Sequence, residues 1–291
     1  MNKVDQCIIL MAGKGTRFLP ATKAVAKELF PIANKPALLY HLEECYKSGI
    51  KRVCIVISKE KEYVKQFLKH DKNLETALKN TNKMHLIEGL NKIIDNMEID
   101  FVYQGKINGS GGAIMSTKKW TKGKPFAMIN GDDLCIEENF KVPAIKELID
   151  VYEKTGKIVL GTKTFPMEIM HLYSSVVKGK EYDANTFEVK QLIEKPEKGK
   201  APTNLVSLAR YVFTADIFDE IPKCPKFANG EVRYPDAVNI LAEQGKVVCH
   251  EFDAKYYDCG NKLEFIKCTL DFALQDEEIS AKLKEHLKTL I

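Results

Sequence analysis

The sequence predicts an α/β protein built on one doubly wound, mixed β-sheet, with helices at its carboxyl-terminal end. Strand-like and helix-like patterns alternate over the first two-thirds of the chain, as they do in proteins with largely parallel sheets. The predicted strands are continuous apolar runs, which are typical of strands covered on both faces. The 291 residues, 45% of them hydrophobic, are enough to bury a large core.

The early elements follow one another in a regular order. Between the apolar runs, apolar residues recur three and four positions apart, which is the spacing of a helix that packs on a sheet. A polar, weakly patterned helical insertion extends to about Asn96. The predicted strands cover 7–11, 52–57, 99–104, 125–133 and 158–165, with helices around Leu42, Val64 and Leu148.

From about Ser174 the pattern changes to strands joined by turns, which predicts the mixed part of the sheet. We expect a single domain over 1–291, with two halves at about 1–173 and 174–260 and terminal helices over about 261–291. The last helix carries an apolar stripe that either packs on the domain or contributes to an oligomer contact. The later elements are strands at 174–179, 186–196, 204–213 and 247–253, a helix at 236–245, a turn at 256–261, and the stripe Ile279, Leu283, Leu287 and Ile291.

Composition excludes several classes of function. The 44 basic and 40 acidic side chains are interspersed, so we expect no nucleic-acid partner. No apolar run approaches the roughly 20 residues of a membrane helix, and the first residues lack the pattern of a signal peptide. The eight cysteines form no Cys-x-x-Cys motif, which favours buried thiols in a reducing cytoplasm.

A glycine turn follows the first predicted strand, where many α/β proteins bind phosphate. Gly13-Lys14-Gly15-Thr16-Arg17 lacks the spacing of a P-loop, and Phe18 stands where a dinucleotide fingerprint needs a third glycine. Ala12, Gly13 and Gly15 still leave bare backbone whose amides suit a triphosphate. Arg17 adds a guanidinium fork for phosphate oxygens. The alternative is a plain turn with an exposed arginine.

A basic segment comes next. Lys23 and Lys27, followed by Glu28, lie in a stretch that three prolines between positions 20 and 36 interrupt. Prolines this frequent prevent a continuous helix, so we expect an ordered surface loop. Such a loop beside a glycine turn could clamp a triphosphate; otherwise its lysines simply face water.

These residues are recognisable together. The segment AGKGTRFLPATKAVAKELFPIANKP resembles the signature of the sugar-1-phosphate nucleotidylyltransferases, and in particular of their bacterial uridylyltransferase branch. The resemblance covers essentially the whole chain and implies a Rossmann-like fold of the nucleotide-diphospho-sugar transferase type. Further motifs in the family order are FVYQGKINGSGGA, PFAMINGDDL, QLIEKP, NLVSLARYVF, EVRYPDAVNIL and YYDCGNKLEFIK.

The resemblance implies a magnesium-dependent transfer of UMP from UTP to α-D-glucose 1-phosphate, which gives UDP-glucose and pyrophosphate. The sugar phosphate is already anionic near neutral pH, so the reaction needs no dedicated base. The enzyme has to align two anions and stabilise their charge, for which cations and backbone donors are suitable. The family also implies a homodimer or homotetramer.

The family's roles can be carried over position by position. The resemblance places Arg17 and Lys27 on the triphosphate and Lys195 on the phosphate of the sugar. It assigns the magnesium ligands to Asp132 and Asp258, and Mg²⁺ often takes only one or two carboxylates besides phosphates and waters. The implied nucleotide-binding residues are Ala12, Gly13, Gly15, Glu28, Gln104 and Gly109, and the implied sugar-binding residues are Ser175, Glu194 and Lys195.

Structural alternatives stay open for these positions. Asp132 could cap a helix, Asp258 could stabilise a turn with Gly260, and Gln104 could bond only to backbone. Glu194 and Lys195 precede Pro196 and could form an exposed turn.

Four departures from the family pattern concern the base and the sugar. Met11 replaces an alanine, Gly112 replaces a histidine, Ala26 replaces a proline, and Ser175 stands where a glycine is expected near the hexose. Transfer of another nucleotide, such as dTTP or CTP, or to another sugar 1-phosphate is therefore an alternative. A glycosyltransferase or a catalytically silent regulatory subunit could also be built on this fold. Arg17 and Lys27 argue against the glycosyltransferase, and the complete set of charged residues argues against the silent subunit.

Overall fold

The predicted strands assemble into one nine-stranded mixed sheet in the computed structural model, which describes residues 3–105, 109–136 and 142–290. The strand order is β5-β4-β1-β6-β11-β8-β12-β10-β9, and two small pairs, β13-β7 and β2-β3, lie outside it. The strands are β1 (Gln6–Leu10), β2 (Pro31–Ile32), β3 (Lys35–Pro36), β4 (Arg52–Ile57), β5 (Glu98–Tyr103), β6 (Phe126–Asn130), β7 (Asp133–Ile136), β8 (Ile158–Thr164), β9 (Ser174–Asp183), β10 (Thr186–Glu194), β11 (Leu205–Phe213), β12 (Val247–Glu251) and β13 (Lys255–Asp258).

Helices cover both faces of this sheet, which confirms the doubly wound prediction. Along β1 the side chains alternate between two cores: Cys7 and Ile9 join one, and Ile8 joins the other. The first core packs against α1 and α7, and the second packs against α5 and α9. The helices are α1 (Ala37–Lys47), α2 (Val64–Phe67), α3 (Lys72–Asn80), α4 (His85–Asn96), α5 (Gly109–Met115), α6 (Lys118–Thr121), α7 (Ala144–Thr155), α8 (Ile217–Glu220), α9 (Tyr234–Glu243), α10 (Lys262–Ala273) and α11 (Ser280–Lys288).

The directions of the strands determine which loops lie at the same edge of the sheet. β5, β4, β1 and β6 run parallel, so the loops that follow them leave the same edge of the sheet. β11 is antiparallel to β6, and it therefore begins at the edge where β6 ends. The start of β9 and the end of β10 meet there too, because Ser174 pairs with Glu194.

The segment that ends in Asp258 differs from the sequence prediction. The segment predicted as a turn at 256–261 begins with a strand, since β13 pairs with β7 and sets Asp258 opposite Asp133. The terminal helix α11 buries none of its described residues, and Leu283 and Leu287 are only half-buried. Ile291 lies outside the described residues. Within the described ranges, no helix has the length and apolar character needed to cross a membrane.

Candidate active site

A large cavity of about 920 Å³ opens at the carboxyl ends of the parallel strands. Ala12 and Gly13 follow β1, Gln104 follows β5, and Asp132 follows β6, so each reaches this cavity from a different strand. Ligands of open α/β sheets bind at this edge, where the loops diverge. The bare backbone at Gly13 leaves open space, because a Cβ there would contact nothing within 4 Å.

A small cavity of about 370 Å³ adjoins it on the antiparallel side. Ser174 at the start of β9, Glu194 at the end of β10 and Tyr234 at the start of α9 line this cavity. Arg17, Lys195 and Asp258 line it as well, so it contains both cationic and anionic side chains. The two cavities share the wall residues Gly109, Ser110, Asn130, Asp132 and Glu231, so one ligand can extend from one cavity into the other.

The Lys27 ammonium donates to the Asp132 carboxylate at the boundary between the cavities. Burial alone would lower the pKa of Lys27, but the carboxylates of Asp132 and Glu28 outweigh it and raise that pKa. Burial likewise opposes ionisation of Asp132, yet the positive charges of Lys27 and Arg17 lower its pKa. Both groups are therefore charged at neutral pH.

Arg17 reaches the same point from the glycine turn. Its guanidinium lies 3.8 Å from Asp132 and 3.8 Å from Asp258, between the two carboxylates. Burial raises the pKa of Asp258, and the facing Asp132 carboxylate raises it further. Gly260 makes the convergence possible, because a Cβ there would lie 2.7 Å from Asp132 Oδ2 and 2.9 Å from Asp258 Oδ1.

This pair of carboxylates fits a divalent cation. Two hard oxygen donors converge on the space beside Gly260, where the Arg17 guanidinium also lies, and a divalent cation that took its place would relieve the repulsion between the two carboxylates. Within the described ranges, no group of three or more His, Cys, Asp or Glu side chains converges as a metal site. A metal at Asp132 and Asp258 would therefore need further ligands from substrate and water.

Glu28 lines the large cavity, but its carboxylate is 1% exposed and pairs with Lys61 at 2.8 Å. Burial raises the pKa of Glu28, and the positive charge of Lys61 opposes this rise. Glu28 also packs near Gly131, since a Cβ on that glycine would lie 3.3 Å from Glu28 Cγ. Its charged end thus supports the cavity wall from behind.

Gln104 and Gly109 form one corner of the large cavity. The Gln104 amide donates to the Gly109 carbonyl at 3.2 Å. Gly109 has a φ of 84°, and a Cβ there would lie 2.6 Å from the Val232 carbonyl. Only glycine permits both this backbone conformation and this close approach.

Comparison with known proteins agrees with this geometry. A family model described as nucleotidyl transferase matches residues 6–274 of the chain. The chain is 39% identical over 290 residues to a UTP–glucose-1-phosphate uridylyltransferase of Staphylococcus epidermidis, covering 100% of this chain and 99% of that relative. The chain belongs to the nucleotidyl transferase family.

Solved structures of this family share the fold. A UDP-glucose pyrophosphorylase crystallised with UDP-glucose is 29% identical, with a TM-score of 0.84 over 94% of this chain and 100% of that one. A UTP-bound pyrophosphorylase of Acinetobacter baumannii is 24% identical, with a TM-score of 0.89 over 99% of this chain and 100% of that one. These findings confirm the predicted family, enzyme class and α/β fold. Nucleotidyl transferases generally use a divalent metal ion.

The structure of this nucleotidyl transferase places one expected sugar-binding residue away from the small cavity. Ser175 is fully buried, and its hydroxyl donates to the Thr203 carbonyl at 2.9 Å, so it does not reach the small cavity. Ser174 lines the cavity instead, and its hydroxyl donates to Glu194. Alternate strand residues point to opposite faces, so a shift of one residue along β9 exchanges the two roles.

Gly15 also lies outside both cavity walls. It has a φ of 66°, and its carbonyl accepts a 2.8 Å hydrogen bond from Thr22. A Cβ on Gly15 would lie 3.0 Å from Thr22 Cγ2, so the glycine leaves room for the Thr22 side chain. The remaining expected site residues all line at least one cavity.

The departures from the family pattern do not line the cavities. Met11, Ala26, Gly112 and Ser175 are buried and belong to neither wall. They therefore change the packing behind the site and do not change the surfaces that a ligand contacts.

Several wall residues were not predicted as site residues. All of them lie inside motifs that carry the family resemblance: Asn130, Ser110, and the pair Glu231 and Arg233, which precede α9 and reach the cavities across the sheet edge. The period-two pattern of β9 could have identified Ser174. Lys61 pairs with Glu28 from 33 positions away, and no local pattern indicates that pairing.

Proposed function

We propose that this nucleotidyl transferase transfers UMP from UTP to α-D-glucose 1-phosphate and releases pyrophosphate. The observation that carries the proposal is the pair of cavities that meet at Asp132, with cations on both sides of the junction. Relatives that span the full chain bear the name of this activity, and a related structure was crystallised with UDP-glucose.

The uridine and the triphosphate occupy the large cavity. Ala12 and Gln104 face the base, and the amides around Gly13 face the phosphates. Lys27 lies at the junction, where it balances the charge that develops on the departing pyrophosphate. Arg17, exposed on the glycine turn, adds a second cation at the same junction.

The sugar 1-phosphate occupies the small cavity. Glu194, oriented by the Ser174 hydroxyl, accepts hydrogen bonds from sugar hydroxyls, and Lys195 binds the phosphate. A phosphate oxygen of the sugar then attacks the α-phosphorus of UTP, and the bond from that phosphorus to the bridging oxygen breaks. Alignment of the two anions supplies much of the catalysis.

Asp132 and Asp258 are the proposed magnesium ligands. A bound Mg²⁺ would neutralise phosphate charge at the junction. We expect Asp132→Asn to lower kcat by ~10² or more while the protein stays folded. Asp253→Asn is the matched control, because Asp253 is exposed and lies outside both cavities. Binding of Mn²⁺, followed by electron paramagnetic resonance, measures the metal site without turnover.

The decisive assay measures pyrophosphate release with UTP, dTTP, CTP, ATP and GTP against glucose 1-phosphate and other sugar phosphates. Product masses identify what is made. UDP-glucose as the main product supports the proposal. Preferred use of another nucleotide or sugar phosphate would show that the enzyme has a different substrate specificity. Lack of turnover with every pair would indicate a catalytically silent subunit.

The protein is further proposed to act in the cytoplasm as a homodimer or homotetramer. All eight cysteines are free thiols, as expected in a reducing compartment. Helix α10 exposes Leu263 and Ile266, and Leu290 follows α11; each is more than half exposed, and together they offer a surface that a second copy could cover. Light scattering after size-exclusion chromatography measures the mass, and a monomer would reject the assembly.

A further inference from the structure

A lysine outside both cavities connects the segments that build the large one. Lys61 ends the short 3₁₀ helix Lys59–Lys61 after β4, and its side chain is only 9% exposed. Its ammonium donates to the Met11 carbonyl at 2.7 Å and to the two Glu28 carboxylate oxygens at 2.8 and 3.1 Å. An ammonium has three donors, and here three acceptor atoms surround it.

The acceptors belong to the two segments that face the triphosphate. Met11 immediately precedes Ala12 and the glycine turn, and Glu28 immediately follows Lys27. The end of β6 packs on both acceptor residues, because a Cβ on Gly131 would lie 2.7 Å from Met11 Cγ and 3.3 Å from Glu28 Cγ. Lys61 thus joins the backbone of the glycine turn to the segment that carries Lys27.

Stability alone does not explain a buried ion pair at this point. Burial lowers the pKa of Lys61 and raises that of Glu28, so the surroundings oppose both charges. Such pairs often stabilise a fold no better than apolar residues of similar volume. What this one provides is a defined separation between Met11 and Glu28, and hence between the two phosphate-binding segments.

We propose that Lys61 is a positioning residue for nucleotide binding, acting through Met11 and Glu28 without contacting the substrate. The inference rests on the proposed function, since it assumes that a nucleoside triphosphate occupies the large cavity. Lys61 itself lines neither cavity.

Two variants test this role. Lys61→Met leaves the Glu28 carboxylate buried without its ammonium, which can unfold the protein. The double variant Lys61→Met/Glu28→Gln removes that charge and keeps the experiment informative. We expect the folded double variant to raise KM for UTP roughly tenfold or more, with KM for glucose 1-phosphate changed less than about twofold.

Lys163→Met is the matched control, because the Lys163 ammonium likewise donates to backbone carbonyls, those of Phe252 and Ala254, and Lys163 lines neither cavity. It should lower stability without changing KM for UTP. A folded double variant with the wild-type KM for UTP would overturn the proposal, and so would equal increases in both KM values.

Calorimetric titration with UTP alone separates this proposal from the proposed function. If the wild-type enzyme prefers another nucleoside triphosphate, the same comparison is made with that nucleotide. Weaker binding in the double variant than in Glu28→Gln alone, with no change in Lys163→Met, supports the role of Lys61 whatever the sugar. Equal binding by the wild-type enzyme and the double variant rejects it.

Discussion

Lys195 adopts a left-handed backbone conformation, with a φ of 47°, directly after β10 ends. Residues other than glycine adopt this conformation rarely, at a cost of roughly 1–2 kcal/mol. The Lys195 amide donates to the Tyr173 carbonyl at 3.1 Å, which holds the turn while the side chain lines the small cavity. Strain of this kind is common at functional sites.

Replacing Lys195 should affect one substrate far more than the other. We expect Lys195→Met to raise KM for glucose 1-phosphate by roughly tenfold or more, because it removes the cation proposed to bind that phosphate. KM for UTP should change less than about threefold. Steady-state kinetics with each substrate varied measures the difference, and exposed Lys198→Met is the control. Equal increases in KM for both substrates would contradict the proposal that Lys195 binds the phosphate of the sugar.

Gly260 supplies space at the proposed metal site. A Cβ there would lie 2.7 Å from both Arg17 Nη2 and Asp132 Oδ2, so Gly260→Ala has to displace charged groups. We expect that variant to weaken Mn²⁺ binding at least tenfold, a loss of about 1.4 kcal/mol. Gly89→Ala is the control, because a Cβ on Gly89 contacts nothing within 4 Å. Unchanged Mn²⁺ affinity in Gly260→Ala would place the metal elsewhere.

At the scale of elements, α1 is joined to the end of β6 by a buried histidine. His41 Nε2 donates to the Gly131 carbonyl at 3.1 Å, and Nδ1 has no hydrogen-bond partner among the described residues. Burial lowers the pKa of His41 to about 4, and Arg210 contributes to the shift. The imidazole is therefore neutral when it anchors the turn that precedes Asp132.

This histidine should make stability depend on pH. Unfolded His41 takes up its proton near pH 6.5, whereas the folded protein resists protonation until about pH 4. The unfolded state therefore binds the additional proton, so the free energy of unfolding falls as the pH falls through this window. Between pH 7 and pH 5 the loss from His41 should be about 2 kcal/mol.

Urea denaturation at several pH values measures this loss. We expect His41→Leu to be less stable at pH 7, because it loses the bond to Gly131, but to show a shallower decline toward pH 5. His286→Gln, which changes an exposed histidine of α11, should keep the wild-type dependence. Parallel pH profiles for His41→Leu and wild type would contradict the burial of a neutral histidine.

Local patterns predicted those elements whose environment is set along the chain. Apolar runs such as 52–57 form strands because both faces of the sheet are covered. The strand β13 was predicted as a turn because it is short and exists only through pairing with β7. Ser174 was missed because a single-position shift along a strand reverses the side-chain direction.

Contacts between distant residues could not be predicted in this way. Lys61 meets Met11 from 50 positions away, and Lys27 meets Asp132 from 105 positions away. The family resemblance predicted Lys27 and Asp132 as site residues because both lie in motifs that carry it. It predicted no role for Lys61, because that role depends on three segments that only the folded chain brings together.

At the scale of the whole molecule, one edge of one sheet carries both halves of the site. The parallel strands contribute the large cavity, the antiparallel strands contribute the small one, and Asp132 lies where they meet. A sugar nucleotide should therefore span the junction, with its two ends held by different parts of the sheet.

A crystal structure of this protein with UDP-glucose tests that arrangement most directly. The predicted result is uracil beside Ala12 and Gln104, glucose beside Ser174 and Glu194, and the diphosphate at Asp132. A ligand bound with the sugar in the large cavity, or bound away from Asp132, would contradict the assignment of the two cavities.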